Sequence, residues 1–166
     1  MKPLPSAETI RERLEYDPNT GLLTWKTDRN NVIPAGSVAG HLRKNGYVGV
    51  KFSGRWFSAH RLAWLIYYGS WPTLDIDHKN CVPSDNRIAN LRQATKRQNI
   101  QNQRLCSRNT SGFKGVTWHR KCKKWQAQIK TGGKTIHLGI YSDIVAAKAA
   151  YDAACAIYHG EFARSA

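Results

Sequence analysis

Asp77 and His78 stand side by side, Asn90 follows twelve residues after the histidine, and Asn99 comes nine residues later. One acid, one imidazole and two amides in this order suit the hydrolysis of a phosphodiester bond. That reaction needs an activated water, charge relief at the phosphate and help for the departing oxygen. A divalent ion supplies the last two, and a neutral histidine removes the proton from water. One carboxylate and one amide oxygen make a hard-cation site that leaves coordination positions for phosphate and water. On a strand, adjacent Asp77 and His78 point to opposite faces, so one can bind metal while the other faces the water. The second ligand must come from a following element. Asn99, in a polar helical stretch, meets that need, and Asn102 three residues on could share its helix face. Asn90 can tie down the intervening loop, because a side-chain amide both donates and accepts.

The flanking segments must position this pair. Glu8 to Leu14 reads as a short helix, Asp17-Pro18-Asn19-Thr20-Gly21 as a turn, and Leu22 to Trp25 as a strand. Gly46 to Phe52, the turn Ser53-Gly54-Arg55, and Trp56 to Ala59 together predict a hairpin. His60 to Tyr68 is apolar and helical, stopped by Gly69-Ser70-Trp71-Pro72. His60 and Arg61 open that helix; Arg61 can hold a phosphate and His60 can line the site, or both can pack. Asn86 and Arg87 either contact nucleic acid or close the loop.

The order Asp-His, Asn, Asn, together with Asn90-Leu91-Arg92 and the Ala59-His60-Arg61 ending of the hairpin, resembles the HNH endonucleases. These fold a hairpin onto a helix around one metal ion. The likeness is to the subgroup common in phages and mobile introns, in which the last histidine of the name is asparagine. It runs from about Leu14 to Gln103. The resemblance implies Asp77 and Asn99 as metal ligands, His78 as general base and Asn90 as the residue that orients the loop. It also implies Mg²⁺ as the ion, with Mn²⁺ as a substitute, and a product carrying a 5′-phosphate.

Beyond a polar stretch the pattern restarts. Phe113 to His119, Lys124 to Lys130 and Thr135 to Tyr141 read as three strands, with Gly132-Gly133 in a turn. Ser142-Asp143 caps an Ala-rich helix from about Ile144 to Tyr158, ended by Gly160. A basic sheet backed by one helix can enter the major groove and read base edges. Lys114-Gly115-Val116, Trp125 to Ile129, Leu138 to Tyr141 and Ala146 to Asp152 resemble the Apetala-two, or ethylene-response-factor, DNA-binding domain of plant regulators, over about Ser111 to Ala163. That resemblance implies Lys114, Trp118, Arg120, Gln128, Lys130 and His137 on or near the DNA-facing surface. Lysine stands at 114 and 130, and threonine at 117, where several plant proteins have arginine. Bidentate guanine contacts are weakened by that change, so the plant target does not transfer. Trp125 is expected in the core, with Val116, Ala127, Ile129 and Leu138.

Charge agrees with a nucleic-acid partner. The 166 residues hold 26 Lys and Arg against 11 Asp and Glu, a net +15. Between Lys79 and Lys134 there are fourteen basic residues and a single acid, Asp85. A solvated face would mix signs, so the expected partner is a phosphate backbone. A membrane role is disfavoured: the longest apolar run, Leu62 to Tyr68, is far too short to span a bilayer. Met1 to Ser6 lacks the apolar core of a signal peptide. Cys81, Cys106, Cys122 and Cys155 are widely and irregularly spaced, as free thiols in a reducing compartment are. The expectation is therefore an intracellular α+β protein on double-stranded DNA. Residues 1–103 form a ββα-metal nuclease domain with a β-hairpin region ahead of the motif, and 104–110 form a linker. Residues 111–166 form a three-stranded antiparallel sheet packed on one helix. The rivals are a non-catalytic, sequence-specific DNA-binding regulator and an RNA-binding module that stacks bases on Tyr47, Trp56 and Trp118. The number of subunits is not specified by these patterns.

Overall fold

The computed structural model describes residues 3–29 and 32–164 and is a mixture of helices and antiparallel strands. Two compact units divide the chain, Met1–Thr95 and Lys96–Ala166. Lys96–Asn102 group by contacts with the second unit.

The first unit opens with helix α1, Ala7–Arg11, whose N-cap Ser6 accepts from the Thr9 amide at 3.2 Å. The helix is shorter than its apolar pattern predicts. Leu14 already belongs to strand β1, Leu14–Tyr16, which pairs antiparallel with β2, Leu23–Trp25. The alternation Leu14, Tyr16 buried and Glu15 exposed is the period of a half-buried strand, too brief to read without its partner. A three-stranded sheet follows, in the order β3 (His41–Leu42), β4 (Val48–Phe52), β5 (Arg55–Ser58). The β4–β5 hairpin turns at the predicted Ser53-Gly54, and β3 adds an edge that the sequence did not announce. Helix α2, Ala59–Tyr68, ends at Gly69 as expected. It buries Leu62, Ala63 and Leu65 in one core with Ile10, Leu14 and Val50. Trp71 closes this core: its indole donates to the Pro5 carbonyl at 2.9 Å, and its ring stacks on Phe57. The last strands of the unit, β6 (Asp75–His78) and β7 (Leu91–Ala94), form an antiparallel pair.

The second unit begins with helix α3, Lys96–Asn102. Its sheet runs in the order β10 (Lys134–Tyr141), β9 (Lys124–Thr131), β8 (Val116–His119), all antiparallel. The β9–β10 turn uses Gly132 and Gly133 at φ 58° and 80°, values a tight hairpin needs and side chains disfavour. Helix α4, Ile144–His159, is capped by Asp143, whose carboxylate accepts from the Ala146 amide at 3.0 Å. Its Ala147, Tyr151, Ala154 and Cys155 share a core with Val116, Ala127 and Ile129. Small residues let the helix lie close on the sheet. Among the described residues no helix is long and apolar enough to cross a membrane.

Candidate active site

Strand β6 presents the chemistry. Ile76, Asp77 and His78 are successively buried, so the strand is covered on both faces and each acidic or basic side chain enters its own surroundings. Asp77 lies directly across from Arg92 in the β6–β7 register, and the Arg92 Nε donates to Asp77 Oδ2 at 2.9 Å. Both side chains are largely shielded, at 11% and 5% exposure, so this is an ion pair in a low dielectric.

His78 faces a different set of groups. Its Nε2 lies 3.1 Å from Asn86 Oδ1. The imidazoles of His78 and His60 meet edge to face, with centroids 5.2 Å apart, and Tyr47 touches both rings at 5.8 and 5.4 Å. Burial pushes the His78 pKa below its ordinary value, against the opposing effects of the Asn86 hydrogen bond and the charges of Asp77 and Asp85. The ring is therefore neutral at neutral pH, as a proton acceptor must be. His60 is pushed down to about 3, first by burial and then by His78 and Arg61. Its Nδ1 is buried without a hydrogen-bond partner.

The loop between β6 and β7 is built on amides. Asn90, in a 3₁₀ turn at Ile88–Asn90, accepts from the Asn80 amide at 3.0 Å and donates to the Asp85 carbonyl at 2.7 Å. Asp85 in turn accepts from Asn80 Nδ2 at 2.7 Å and from both ends of the Arg87 guanidinium, at 2.8 and 2.6 Å. The Arg87 hydrogen bonds hold the Asp85 carboxyl down at about 2. The N-terminal hairpin grips the same loop: Tyr16 Oη donates to the Asn86 carbonyl at 2.7 Å, and the Ile88 amide to the Pro18 carbonyl at 3.1 Å. Gly21, at φ 76°, sits so close that a Cβ there would lie 2.5 Å from the Arg87 nitrogen.

Asp77, His78 and Asn90 all lie in the first unit, the first two on β6 and the third at the end of the loop that follows it. Arg87 closes the loop through Asp85 while remaining half-exposed. Arg61 is partly buried, its guanidinium 5.8 Å from the Trp71 ring centroid. Asn99 lies on α3, in the second unit. Three groups gained their place only from the fold. Asn86, weighed in the sequence as a loop residue, becomes the partner of the histidine. Arg92, read as part of Asn-Leu-Arg, becomes the partner of the aspartate. Tyr47 had no signal beyond its aromatic type.

In the second unit, strand pairing sorts the expected contact residues. Gln128, Lys130 and His137 share the sheet face turned away from the core, since Ala127 and Ile129 take the other. Trp118 pairs with Trp125 on the face of buried Val116, edge-on at 5.0 Å, and is half-exposed at the strand's end. Arg120 is exposed in the β8–β9 turn. Lys114 is half-buried, and its ammonium donates to the Gln101 carbonyl at 3.1 Å.

Among the described residues no three His, Cys, Asp or Glu side chains cluster as a metal cage. The buried donor that β6 offers beside the histidine is one carboxylate, which fits a hard divalent ion that takes much of its shell from water and phosphate. Such an ion would share Asp77 with Arg92.

Residues 57–101 match the family model for the HNH endonucleases. The stretch takes in Asp77, His78, Asn90 and Asn99. The chain is similar to Protein 3.8 of Escherichia phage T7, 34% identical over 59 residues, which is 36% of this chain and 49% of that protein. Among solved structures it is similar to the HNH homing endonuclease I-HmuI, described for its DNA binding and cleavage. The TM-score is 0.40 with 26% identity, covering 55% of this chain and 51% of the other. The chain therefore spans about half the length of each of these relatives. None of these likenesses supports the Apetala-two resemblance of the C-terminal part.

Proposed function

We propose that the chain is a metal-dependent endonuclease that hydrolyses phosphodiester bonds in duplex DNA. The observation that carries the reading is a buried His78 next to a buried Asp77, within the stretch that matches the HNH endonucleases. His78 takes the proton of the attacking water. Asp77 holds the ion, and Asn99 serves as second ligand on the strength of the motif's spacing. Mg²⁺, or Mn²⁺ in its place, would when bound relieve charge on the phosphate and assist the leaving oxygen. Asn90 keeps the loop folded so that His78 stays in place, and Arg61 and Arg87 offer positive charge to the DNA backbone.

The second unit anchors the cutter. Gln128, Lys130 and His137 form the polar, basic face of its sheet, with Arg120, Lys114 and Trp118 around it, and a sheet of this kind fits the major groove. The Apetala-two likeness belongs to this proposal, as does the phage or mobile-element setting.

The test is incubation of the purified chain with supercoiled plasmid in Mg²⁺, in EDTA, and in EDTA followed by excess Mg²⁺. Cleavage that EDTA stops and Mg²⁺ restores is expected. DNA retardation without cleavage in any divalent ion would favour the non-catalytic regulator, and tighter binding to RNA than to duplex DNA would favour the RNA-binding module.

A further inference from the structure

The His78–Asn86 hydrogen bond decides which nitrogen of His78 carries its proton. An amide oxygen accepts and cannot donate, so Oδ1 of Asn86 at 3.1 Å requires the proton on Nε2 and leaves the lone pair on Nδ1. Asn86 is 3% exposed and His78 4%, so water does not compete freely for this bond. What places Asn86 is the N-terminal hairpin β1–β2 and its turn. Tyr16, itself buried, donates its hydroxyl to the Asn86 carbonyl at 2.7 Å. The Pro18 carbonyl takes the Ile88 amide, and Gly21 packs its backbone against Asn86 and Arg87. Residues 14–25 lie outside 57–101, the stretch that matches the HNH endonucleases.

We infer that the N-terminal hairpin belongs to the catalytic apparatus: Tyr16 fixes Asn86, and Asn86 is a positioning residue that holds His78 in its Nε2–H tautomer. This rests on the nuclease reading for its consequence. Nδ1 is then the atom that takes the proton when an O–H bond of the attacking water breaks and its oxygen bonds to phosphorus. The electrons of the severed P–O bond leave with the departing oxygen. The imidazolium so formed keeps its Nε2–H on Asn86, and the amide dipole steadies the added charge. Without Asn86 the proton is free to sit on either nitrogen, and part of the population presents the wrong one.

The experiment uses the full chain and reads tautomer and turnover separately. Long-range proton–nitrogen spectra of histidine-labelled protein are expected to show His78 as the Nε2–H form. Asn86→Ala should lose that form and lower kcat by on the order of ten-fold or more, with KM for DNA within about two-fold. Asn86→Asp, which restores an acceptor oxygen, should recover the Nε2–H form and much of the rate. Tyr16→Phe removes a single hydroxyl and should move both readouts in the direction of Asn86→Ala, by less. An unchanged tautomer and kcat in Asn86→Ala would overturn the proposal. So would a Tyr16→Phe protein with wild-type spectra and rate, since the hairpin would then have no part. Should Asn86→Ala fail to fold, Asn86→Asp and Tyr16→Phe decide. If the wild type shows the tautomer pattern but cleaves no DNA, the nuclease reading fails while the Tyr16–Asn86–His78 arrangement stands.

Discussion

Asp77 and His78 are neighbours in the chain and yet answer to different partners, the carboxylate to Arg92 across the ladder and the imidazole to Asn86. Adjacent positions on a strand send their side chains to opposite faces, so the two do not pair with each other. Replacing the base isolates its contribution: His78→Ala should lose about 10²- to 10⁴-fold in cleavage rate while duplex affinity stays near wild type. Full activity in a folded His78→Ala protein would remove it from the mechanism. For the carboxylate, Asp77→Asn is the cleaner change. Truncating it to alanine would take the carboxylate away from a shielded guanidinium, a loss that typically costs a few kcal/mol, about 3–5. Calorimetric titration with Mn²⁺ should show one site in the wild type and none in Asp77→Asn. An unchanged stoichiometry would place the ion elsewhere.

The elements around this pair are short, and few would be stable alone. β1, β2 and β6 hold three or four residues each, and their burial comes from partners far away in sequence. The loop from Lys79 to Asn90 keeps its shape through Asn80, Asp85 and Asn90, and through the N-terminal hairpin pressed against it. Gly21 is the tightest point of that contact. Gly21→Ala would force a side chain into a left-handed backbone and against the Arg87 nitrogen. A loss of about 1–3 kcal/mol is expected from the backbone strain alone, read as a lower midpoint in denaturant unfolding. An unshifted midpoint would mean that the hairpin is loosely held. The candidate site was legible here to a definite depth. Asn90 was legible through the resemblance, which sets an asparagine twelve residues after the histidine. Asn86 was not, because its neighbours Asp85 and Arg87 advertise charge, and only the folded loop shows which of the three turns inward.

At the scale of the whole chain two features can be measured without DNA cleavage. The first is acid sensitivity. His60 binds its proton far less readily folded, at about 3, than unfolded, near 6.5. The unfolded state therefore holds more protons below that ordinary value, and stability is lost as pH falls. Between pH 6.5 and 4.5 the wild type should lose stability more steeply than His60→Phe as pH falls. Equal slopes would mean that His60 is solvated in the native state. The second is salt. If Arg120 and Lys130 touch phosphates, each alanine substitution should flatten the plot of log affinity against log salt by about 0.9. The same slope in the double variant would show that this sheet is not the anchor.

Residue types and spacing carry the Asp-His pair, the loop asparagine, the hairpin ahead of α2 and the Ala-rich helix, since these depend on local turns, caps and periodicity. The expected boundary near Gln103 rested on a polar stretch, while contacts group Lys96 to Asn102 with the second unit. Polarity marks exposure but does not say which neighbour a helix joins. The sheet face of Trp118 likewise waits on register: one residue of slip reverses every side chain, and composition has no means of counting it. Hydrogen-bond partners such as Tyr16 with Asn86, 70 positions apart, arise only when the chain has closed a long loop. Tertiary structure alone could decide them, because an amide or hydroxyl has many acceptable partners in sequence and one in space.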